Sequence, residues 1–228
     1  MDSHCIENGR APRIISAVVN VDRNGAQHMG QLPPGASAIV HPEYSKDDNI
    51  TINDIALIKL ERRLIYNHIV SSICLPSKAQ LIPVDGQTVA TGFGYSNVPG
   101  TNKFENDRML REAMVPIVDP QDCENRYVQS EESTVEEWRT AKVVCASSLA
   151  HAAYKGDSGG PLMMKGSDGR WFQIGISSFG PDYSISNKTY PAAFTDVRAY
   201  CDWIKQSTEG EASCQEGEVT LEDVGIQA

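Results

Sequence analysis

One stretch of this 228-residue chain carries most of the information about its fold, Lys155-Gly156-Asp157-Ser158-Gly159-Gly160-Pro161-Leu162. A serine flanked by glycines lets the backbone turn sharply and approach a substrate closely. Its backbone N–H groups can then bind negative charge that develops during a reaction. The same residues could also form an ordinary glycine-rich β turn, and this stretch alone does not separate the two interpretations.

The order of residues along the chain narrows the choice of catalytic class. The pattern Gly156-x-Ser158-x-Gly160 also matches the nucleophile elbow of α/β-hydrolases, which place their histidine after the serine. That order is excluded because all 5 histidines precede Ser158, namely His4, His28, His41, His68 and His151. The subtilisin order of Asp, His and Ser would need an α/β fold, and the sequence lacks the alternating strand and helix segments of βαβ units. The order His, Asp, Ser remains, as in chymotrypsin-type enzymes.

Short β-type segments separated by Gly, Pro, Asn and Asp dominate the chain and predict an all-β barrel or sandwich. The predicted strands are Arg13–Val21, Ala36–His41, Asp54–Leu60, Val70–Leu75, Gln87–Gly92, Leu110–Val118, Gly160–Met164, Trp171–Phe179 and Ala192–Val197. Val197, Tyr200, Cys201 and Ile204 instead recur with helical spacing, after an Asp196 that can cap the helix. A shorter helix is predicted from Asp119-Pro120 towards Tyr127.

Several motifs in register resemble the trypsin/chymotrypsin family of serine endopeptidases from residue 3 to about residue 206. The serine motif Gly156–Leu162 matches without a mismatch, and Asn53–Leu60 is similar to the family's aspartate motif. Further matches follow in the family's order, at Ile73–Pro76, Ala90–Gly94, Leu110–Ala113, Cys123, Val144–Cys145, Gly175–Gly180 and Pro191–Ile204. The resemblance implies two antiparallel six-stranded β-barrels, the first of them incomplete, with a C-terminal helix. It divides the chain into a protease domain, 1–206, and an acidic tail, 207–228.

The resemblance also implies a catalytic triad of His4, Asp54 and Ser158. Ser3-His4-Cys5 looks like the family's Ala-His-Cys motif, and His4 stands 50 residues before Asp54. The oxyanion hole would be formed by the backbone N–H groups of Gly156 and Ser158. Asp157 corresponds to the aspartate that pairs with the amino group created by activation cleavage. His41 is instead expected to be a surface or turn residue.

The resemblance places the substrate pocket at Ala152, Ser178, Phe179, Gly180 and Ala192. Trypsin-like members have an aspartate where this chain has Ala152, so a charged Arg or Lys side chain would find no partner there. We therefore expect a neutral, small-to-medium apolar residue before the cleaved bond.

Tyr154 stands where the family has a cysteine that bridges the pocket. No cysteine occurs in Pro181–Tyr190, where its partner would lie. The bridge is therefore absent, and either the pocket wall is more mobile or Tyr154 packs in place of the sulfurs.

The chain has 6 cysteines. The resemblance implies a disulfide between Cys123 and Cys145. It leaves undecided the disulfide pairing of Cys5, Cys74, Cys201 and Cys214. Cys74 resembles a cysteine that commonly holds an N-terminal pro-segment, with Cys201 or Cys214 as local alternatives. Cys201 could equally be a buried free thiol. No C-x-x-C or H-E-x-x-H spacing occurs, so we expect no zinc or other metal site, and no cofactor.

Composition and charge restrict the partners and the compartment. The net charge of −10 argues against sequence-independent nucleic-acid binding, and no apolar run is long enough to span a bilayer. Beyond Lys205 the chain holds 6 acidic residues and no basic one, which predicts a solvated, partly disordered extension. The cysteines and two glycosylation sequons, at Asn49 and Asn187, favour an extracellular, secreted protein. We expect the chain to be N-terminally incomplete, because it has no signal peptide and lacks the family's first strands.

These observations predict a serine endopeptidase that acts on protein or peptide substrates and can be bound by protease inhibitors. The chain alone is expected to be inactive or poorly folded. The alternative from another class is a non-catalytic protease homologue that binds a partner through the same surface, although such proteins typically replace a triad member. A scaffold protein with a chance glycine-serine turn would not explain the ordered motifs. The physiological substrate, the activating protease and the oligomeric state are not specified by the sequence.

Overall fold

A computed structural model describes residues 36–46, 50–60, 63, 65–66, 70–97, 103–106, 109–129, 134–147, 153–180 and 191–222. The predicted strand Arg13–Val21 lies outside these residues, as do His4, Cys5, Asn49, Ala152 and Asn187.

Strands make up most of the regular structure. They are β1 (Ala36–Val40), β2 (Ser45–Lys46), β3 (Thr51–Ile52), β4 (Ala56–Leu60), β5 (Gln87–Gly92), β6 (Ser96–Asn97), β7 (Phe104–Glu105), β8 (Arg111–Pro116), β9 (Val143–Ala146), β10 (Pro161–Gly166), β11 (Trp171–Phe179), β12 (Ala192–Asp196) and β13 (Leu221–Glu222). The helices are α1 (Pro120–Gln129), α2 (Val135–Ala141) and α3 (Cys201–Ser207), the last preceded by a 3-10 helix, Val197–Tyr200.

The largest sheet is antiparallel and curls until its edges meet. Its strands follow the order β8-β5-β10-β11-β12-β9, and β13 pairs with β10 as a seventh strand. A bridge between Ile117 and Ala146 joins the two ends of this order. The N–H of Val118 donates to the carbonyl of Cys145 at 2.9 Å beside that bridge. The all-β, chymotrypsin-like fold class is thereby confirmed.

Alternation along the strands fills the interior of this sheet. On β10, Leu162 and Met164 are fully buried and Lys165 is exposed, as expected when successive side chains point to opposite faces. Phe172 and Ile174 on β11 and Phe194 on β12 are also fully buried and belong to the same apolar cluster. A Cβ added to Gly175 would lie 2.9 Å from the Cβ of Phe194, so the absence of a side chain at Gly175 lets the strands pack closely.

The N-terminal part contributes two small sheets, β1 with β4 and β2 with β3. Ile55, just before β4, packs with Ile176 of β11 and with Tyr200 in one buried cluster. The segment that leads into β4 is therefore held against the large sheet by apolar contacts. The predicted strand Val70–Leu75 is wrong, because this segment makes only one isolated bridge, between Cys74 and Phe172.

The two predicted helices are present. Asp119 accepts hydrogen bonds from the backbone N–H groups of Gln121 and Asp122 at the start of α1. Asp196 accepts one from the N–H of Arg198 at 3.0 Å and caps the 3-10 helix, as predicted. Within the described ranges, no helix is long and apolar enough to cross a membrane.

The disulfide predicted between Cys123 and Cys145 is confirmed and joins α1 to β9. The structure also pairs Cys201 with Cys214, which settles two of the open cysteines, and leaves Cys74 as a free thiol. Cys201 is accordingly not a free thiol.

The C-terminal segment differs from the solvated extension that its charge predicted. Leu221 is buried in the main apolar cluster, and β13 pairs with Lys165 and Gly166 of β10. The buried side chain of Gln80 donates to the carbonyl of Val219 at 2.6 Å and accepts from its N–H at 3.0 Å. The acidic side chains coexist with this packing because Glu216, Glu218 and Glu222 are exposed. Burying Leu221 contributes about 2 kcal/mol, which the charge pattern does not reveal.

Removing the Cys201–Cys214 disulfide is expected to lower the free energy of unfolding by about 3 kcal/mol, since it closes a loop with a sequence separation of 13 residues. Urea denaturation of the double variant Cys201→Ala/Cys214→Ala measures this loss. Cys74→Ala is the matched control, because it removes a cysteine outside both disulfides. An unfolding free energy unchanged in the double variant would mean that the disulfide does not stabilise the C-terminal segment.

Candidate active site

Asp54 is held in a buried position directly before β4. Its side chain accepts a hydrogen bond from Ser178 Oγ at 2.5 Å, and its carbonyl accepts one from Thr195 Oγ1 at 2.9 Å. Asp54 is only 1% exposed. The preceding residue, Asn53, has a φ of 51°, a left-handed conformation that asparagine tolerates better than most residues. The local turn and two strands of the large sheet thus fix the position of this carboxylate.

Ser158 lies on the exposed turn that leads into β10. The N–H of Gly159 donates to the carbonyl of Ser177 at 2.9 Å, and the N–H of Ser177 donates to the carbonyl of Gly160 at 2.8 Å. Two backbone hydrogen bonds therefore attach the serine turn to β11 at Ser177. The next residue of β11, Ser178, holds Asp54. Adjacent residues of one strand thus anchor the turn that carries Ser158 and the side chain of Asp54.

A cleft of about 260 Å³ opens beside Ser158. Four of the five predicted substrate-binding residues line it, and these are Ser178, Phe179, Gly180 and Ala192. Tyr154 and Lys155 contribute further lining. Ala152, the fifth predicted residue, lies outside the described residues.

The predicted oxyanion hole lies on the same turn. Gly156 has a φ of 95°, which glycine adopts freely and other residues adopt only with strain. A Cβ at this position would also lie 3.1 Å from the Cα of Gly94. Among the described residues, no acceptor is bonded to the backbone N–H of Gly156 or Ser158.

The carboxylate of Asp157 faces away from the cleft and toward the end of β5. It accepts hydrogen bonds from the N–H of Gly94 at 2.8 Å and from the N–H of Tyr154 at 2.9 Å. A Cβ at Gly92 would lie 1.9 Å from Asp157 Oδ1, so a side chain there would overlap the carboxylate. Asp157 also lines a second cavity, of about 430 Å³, that Phe104 and Tyr154 share.

The histidine predicted as the base, His4, is not among the described residues. His41, which we expected at the surface or in a turn, does form a turn but is buried against the rings of Tyr200 and Trp203. Burial lowers the pKa of the His41 imidazole, an effect that Glu43 opposes and Lys142 reinforces. His41 Nδ1 accepts a hydrogen bond from the N–H of Glu43 at 3.2 Å. His41 is therefore a neutral, structural histidine.

Two partners of Asp54 were missed by sequence reasoning. Ser178 was assigned to the substrate pocket alone, although it also bonds to the Asp54 carboxylate, and Thr195 was assigned no role. No local sequence signal indicated these two hydrogen bonds, because Ser178 lies 124 positions and Thr195 lies 141 positions from Asp54. In the described part of the chain, no group of three or more His, Cys, Asp or Glu side chains could hold a metal ion.

The curled antiparallel sheet, with an exposed serine beside a cleft and a buried aspartate bonded to Ser178 in the cleft wall, defines a chymotrypsin-like protein. The family model described as Trypsin matches residues 3–204, and the chain belongs to this family. It is 31% identical over 210 residues to human (Homo sapiens) chymotrypsin-like elastase family member 3B. The aligned region covers 90% of this chain and 72% of the relative.

Two further relatives show how much of each protein the similarity covers. Chymotrypsin-C of Bos taurus is 33% identical over 211 residues, covering 91% of this chain and 73% of the relative. The CLIP domain-containing serine protease HP8 of Bombyx mori is 34% identical over 182 residues, covering 77% of this chain and 46% of the relative. The family resemblance drawn from the motifs is thereby confirmed.

Proposed function

We propose that this protein is a serine endopeptidase that cleaves peptide bonds through His4, Asp54 and Ser158. The observation that carries the proposal is the anchoring of the Ser158 turn and of Asp54 at the adjacent residues Ser177 and Ser178 of β11. Membership of the trypsin family supports it. The substrates are proteins or peptides, as the family implies.

The chemistry follows the serine, histidine and aspartate template. Ser158 Oγ attacks the scissile carbonyl, and His4 accepts its proton and later donates it to the leaving amine. Asp54 fixes the imidazole tautomer and stabilises the cation that forms. The N–H groups of Gly156 and Ser158 bind the developing oxyanion, where the loss of one donor costs roughly 10²–10³-fold in rate.

Asp157 provides the proposed control of activity. A buried or half-buried carboxylate is stabilised by a cationic partner, and the family resemblance assigns that partner as an amino group released by activation cleavage. The position of Asp157 beside a cavity of about 430 Å³, in the space left by Gly92 and Gly94, supports this assignment. Without that pairing the serine turn is less ordered, and the chain is inactive or weakly active.

The residue before the cleaved bond is expected to be neutral and apolar, of small to medium size. Ala152 replaces a pocket carboxylate, and Ala192 adds a methyl group to the wall opposite Gly180. An arginine or lysine side chain would be desolvated there without a charge partner.

Cleavage of a peptide panel that differs only at that residue measures the preference. We expect kcat/KM for Ala, Val or Leu to exceed that for Arg or Lys by roughly 100-fold or more, as loss of a buried charge partner costs several kcal/mol. Ala152→Asp is the matched variant and should shift the preference toward Arg and Lys. A wild-type preference for basic residues would contradict the proposed pocket.

Reaction with a fluorophosphonate probe tests the proposed activity. Such a probe phosphonylates a serine that a neighbouring base has activated, and peptide mapping identifies the labelled residue. We expect the label on Ser158 and its loss in His4→Ala. A folded, activated protein that leaves Ser158 unlabelled would favour the alternative, a non-catalytic homologue that binds partners through this cleft.

The remaining assignments follow from the same proposal. The protein acts outside the cell, consistent with the two disulfides in the described part of the chain, and carries glycans at Asn49 and Asn187. Residues 1–206 form the protease domain, and 207–228 form an acidic C-terminal segment. Protease inhibitors are further partners.

A further inference from the structure

Tyr154 lies between the two cavities of the site. It lines both the cleft beside Ser158 and the second cavity beside Asp157. Its aromatic ring contacts the ring of Phe104 on β7, with a centroid distance of 4.8 Å and an interplanar angle of 45°. Such an inclined contact is a favourable geometry for an aromatic pair.

The backbone of Tyr154 is bonded reciprocally to Asp157. The N–H of Tyr154 donates to Asp157 Oδ2 at 2.9 Å, and the N–H of Asp157 donates to the carbonyl of Tyr154 at 2.9 Å. These two bonds close a tight loop directly before Ser158. A displacement of Tyr154 would therefore move the backbone that carries the predicted oxyanion donors.

A second set of bonds connects the serine turn to the segment before β6. The N–H of Gly94 donates to Asp157 Oδ1 at 2.8 Å, and the N–H of Tyr95 donates to the carbonyl of Lys155 at 2.9 Å. The hairpin β6–β7 that follows this segment carries Phe104. The segment before β6 thus holds the serine turn by backbone bonds, and the hairpin that follows it contacts Tyr154 through the ring of Phe104.

We propose that Tyr154 and Phe104 form a non-covalent clamp that positions the Gly156–Ser158 turn for catalysis. This inference rests on the proposed function and goes beyond it by assigning a role to two residues outside the triad, the oxyanion hole and the base of the pocket. Tyr154 is a positioning residue, because it acts through Asp157 and the backbone of the turn. The contact with Phe104 is made by the ring of Tyr154.

A double-variant cycle with Tyr154→Ala and Phe104→Ala tests the clamp. Each single variant should lower kcat by roughly 10-fold and change KM little, because the oxyanion donors act in the transition state. The double variant should be no slower than the slower single variant, because removal of either ring already breaks the contact. Tyr154→Phe keeps the ring and should recover most of the kcat that Tyr154→Ala loses.

Amide hydrogen exchange of Lys155–Gly159 in the same variants supplies a readout that needs no activity. Exchange should accelerate equally in both single variants and in the double variant, and should be slower in Tyr154→Phe than in Tyr154→Ala. If wild type is not acylated but the exchange pattern holds, the proposed function fails and the clamp stands. Multiplicative effects of the two single variants, or unchanged exchange in Tyr154→Ala, would overturn the clamp.

Discussion

Ser158→Ala is expected to lower kcat of the activated enzyme by roughly 10⁶-fold, because it removes the proposed nucleophile. Ser158 is exposed on its turn, and its Oγ makes no hydrogen bond to any of the described residues. The free energy of unfolding should therefore change little. Hydrolysis of the preferred peptide, together with urea denaturation of the same sample, measures both quantities.

Ser167→Ala is the matched control for this loss. Ser167 lies on the exposed turn between β10 and β11, and its N–H, which the variant keeps, donates to the carbonyl of Thr220 at 2.8 Å. We expect wild-type activity from this control. Turnover in Ser158→Ala above about one-hundredth of the wild-type rate would remove Ser158 from the mechanism.

Asp54→Asn is expected to lower kcat by roughly 10⁴-fold, since an amide neither stabilises the imidazolium nor selects the productive tautomer. The substitution keeps the size of the side chain at a position that is 1% exposed. The backbone carbonyl of residue 54 still accepts a hydrogen bond from Thr195 Oγ1. The loss should fall on kcat rather than KM. Steady-state kinetics on the preferred peptide measures the two constants separately.

Asp168→Asn makes the same chemical change at an exposed site. Asp168 pairs with Arg170 on the turn between β10 and β11 and has no contact with the cleft. We expect unchanged kcat/KM in this variant. An equal loss in both aspartate variants would mean that the effect at Asp54 comes from destabilisation and not from catalysis.

Local patterns predicted those strands whose residues carry a strong and regular signal. The bounds of Gln87–Gly92 and Trp171–Phe179 agree with the structure, because each run is rich in strand-forming residues and ends at turn signals. Val70–Leu75 has similar residues but pairs only through Cys74, since no neighbouring strand runs alongside the rest of it. Strand pairing is a tertiary property that a single segment does not encode.

Helix α2 was not predicted, although its sequence carries a signal for the start of a helix. Thr134 and Glu137 form a capping box, in which Glu137 accepts from the N–H of Thr134 at 2.7 Å. The charged residues around Thr134 and Glu137 obscured this capping-box signal. The stabilisation of α2 comes from Trp138, which stacks on Tyr127 of α1 at 4.4 Å between ring centroids, a contact that depends on the whole fold.

Local motifs predicted the family, the Cys123–Cys145 disulfide and the capped C-terminal helix, and they nominate Ser158 and Asp54 as the proposed catalytic residues. The helix cap follows from residue types at fixed local spacing, whereas the disulfide and the proposed site residues follow from the resemblance to the family, and neither inference needs the positions of distant neighbours. Only the tertiary structure paired Cys201 with Cys214, buried Leu221 of an acidic segment in the core and bonded Ser178 to Asp54. The physical reason is that each of these contacts depends on where the curled sheet brings the chain back upon itself.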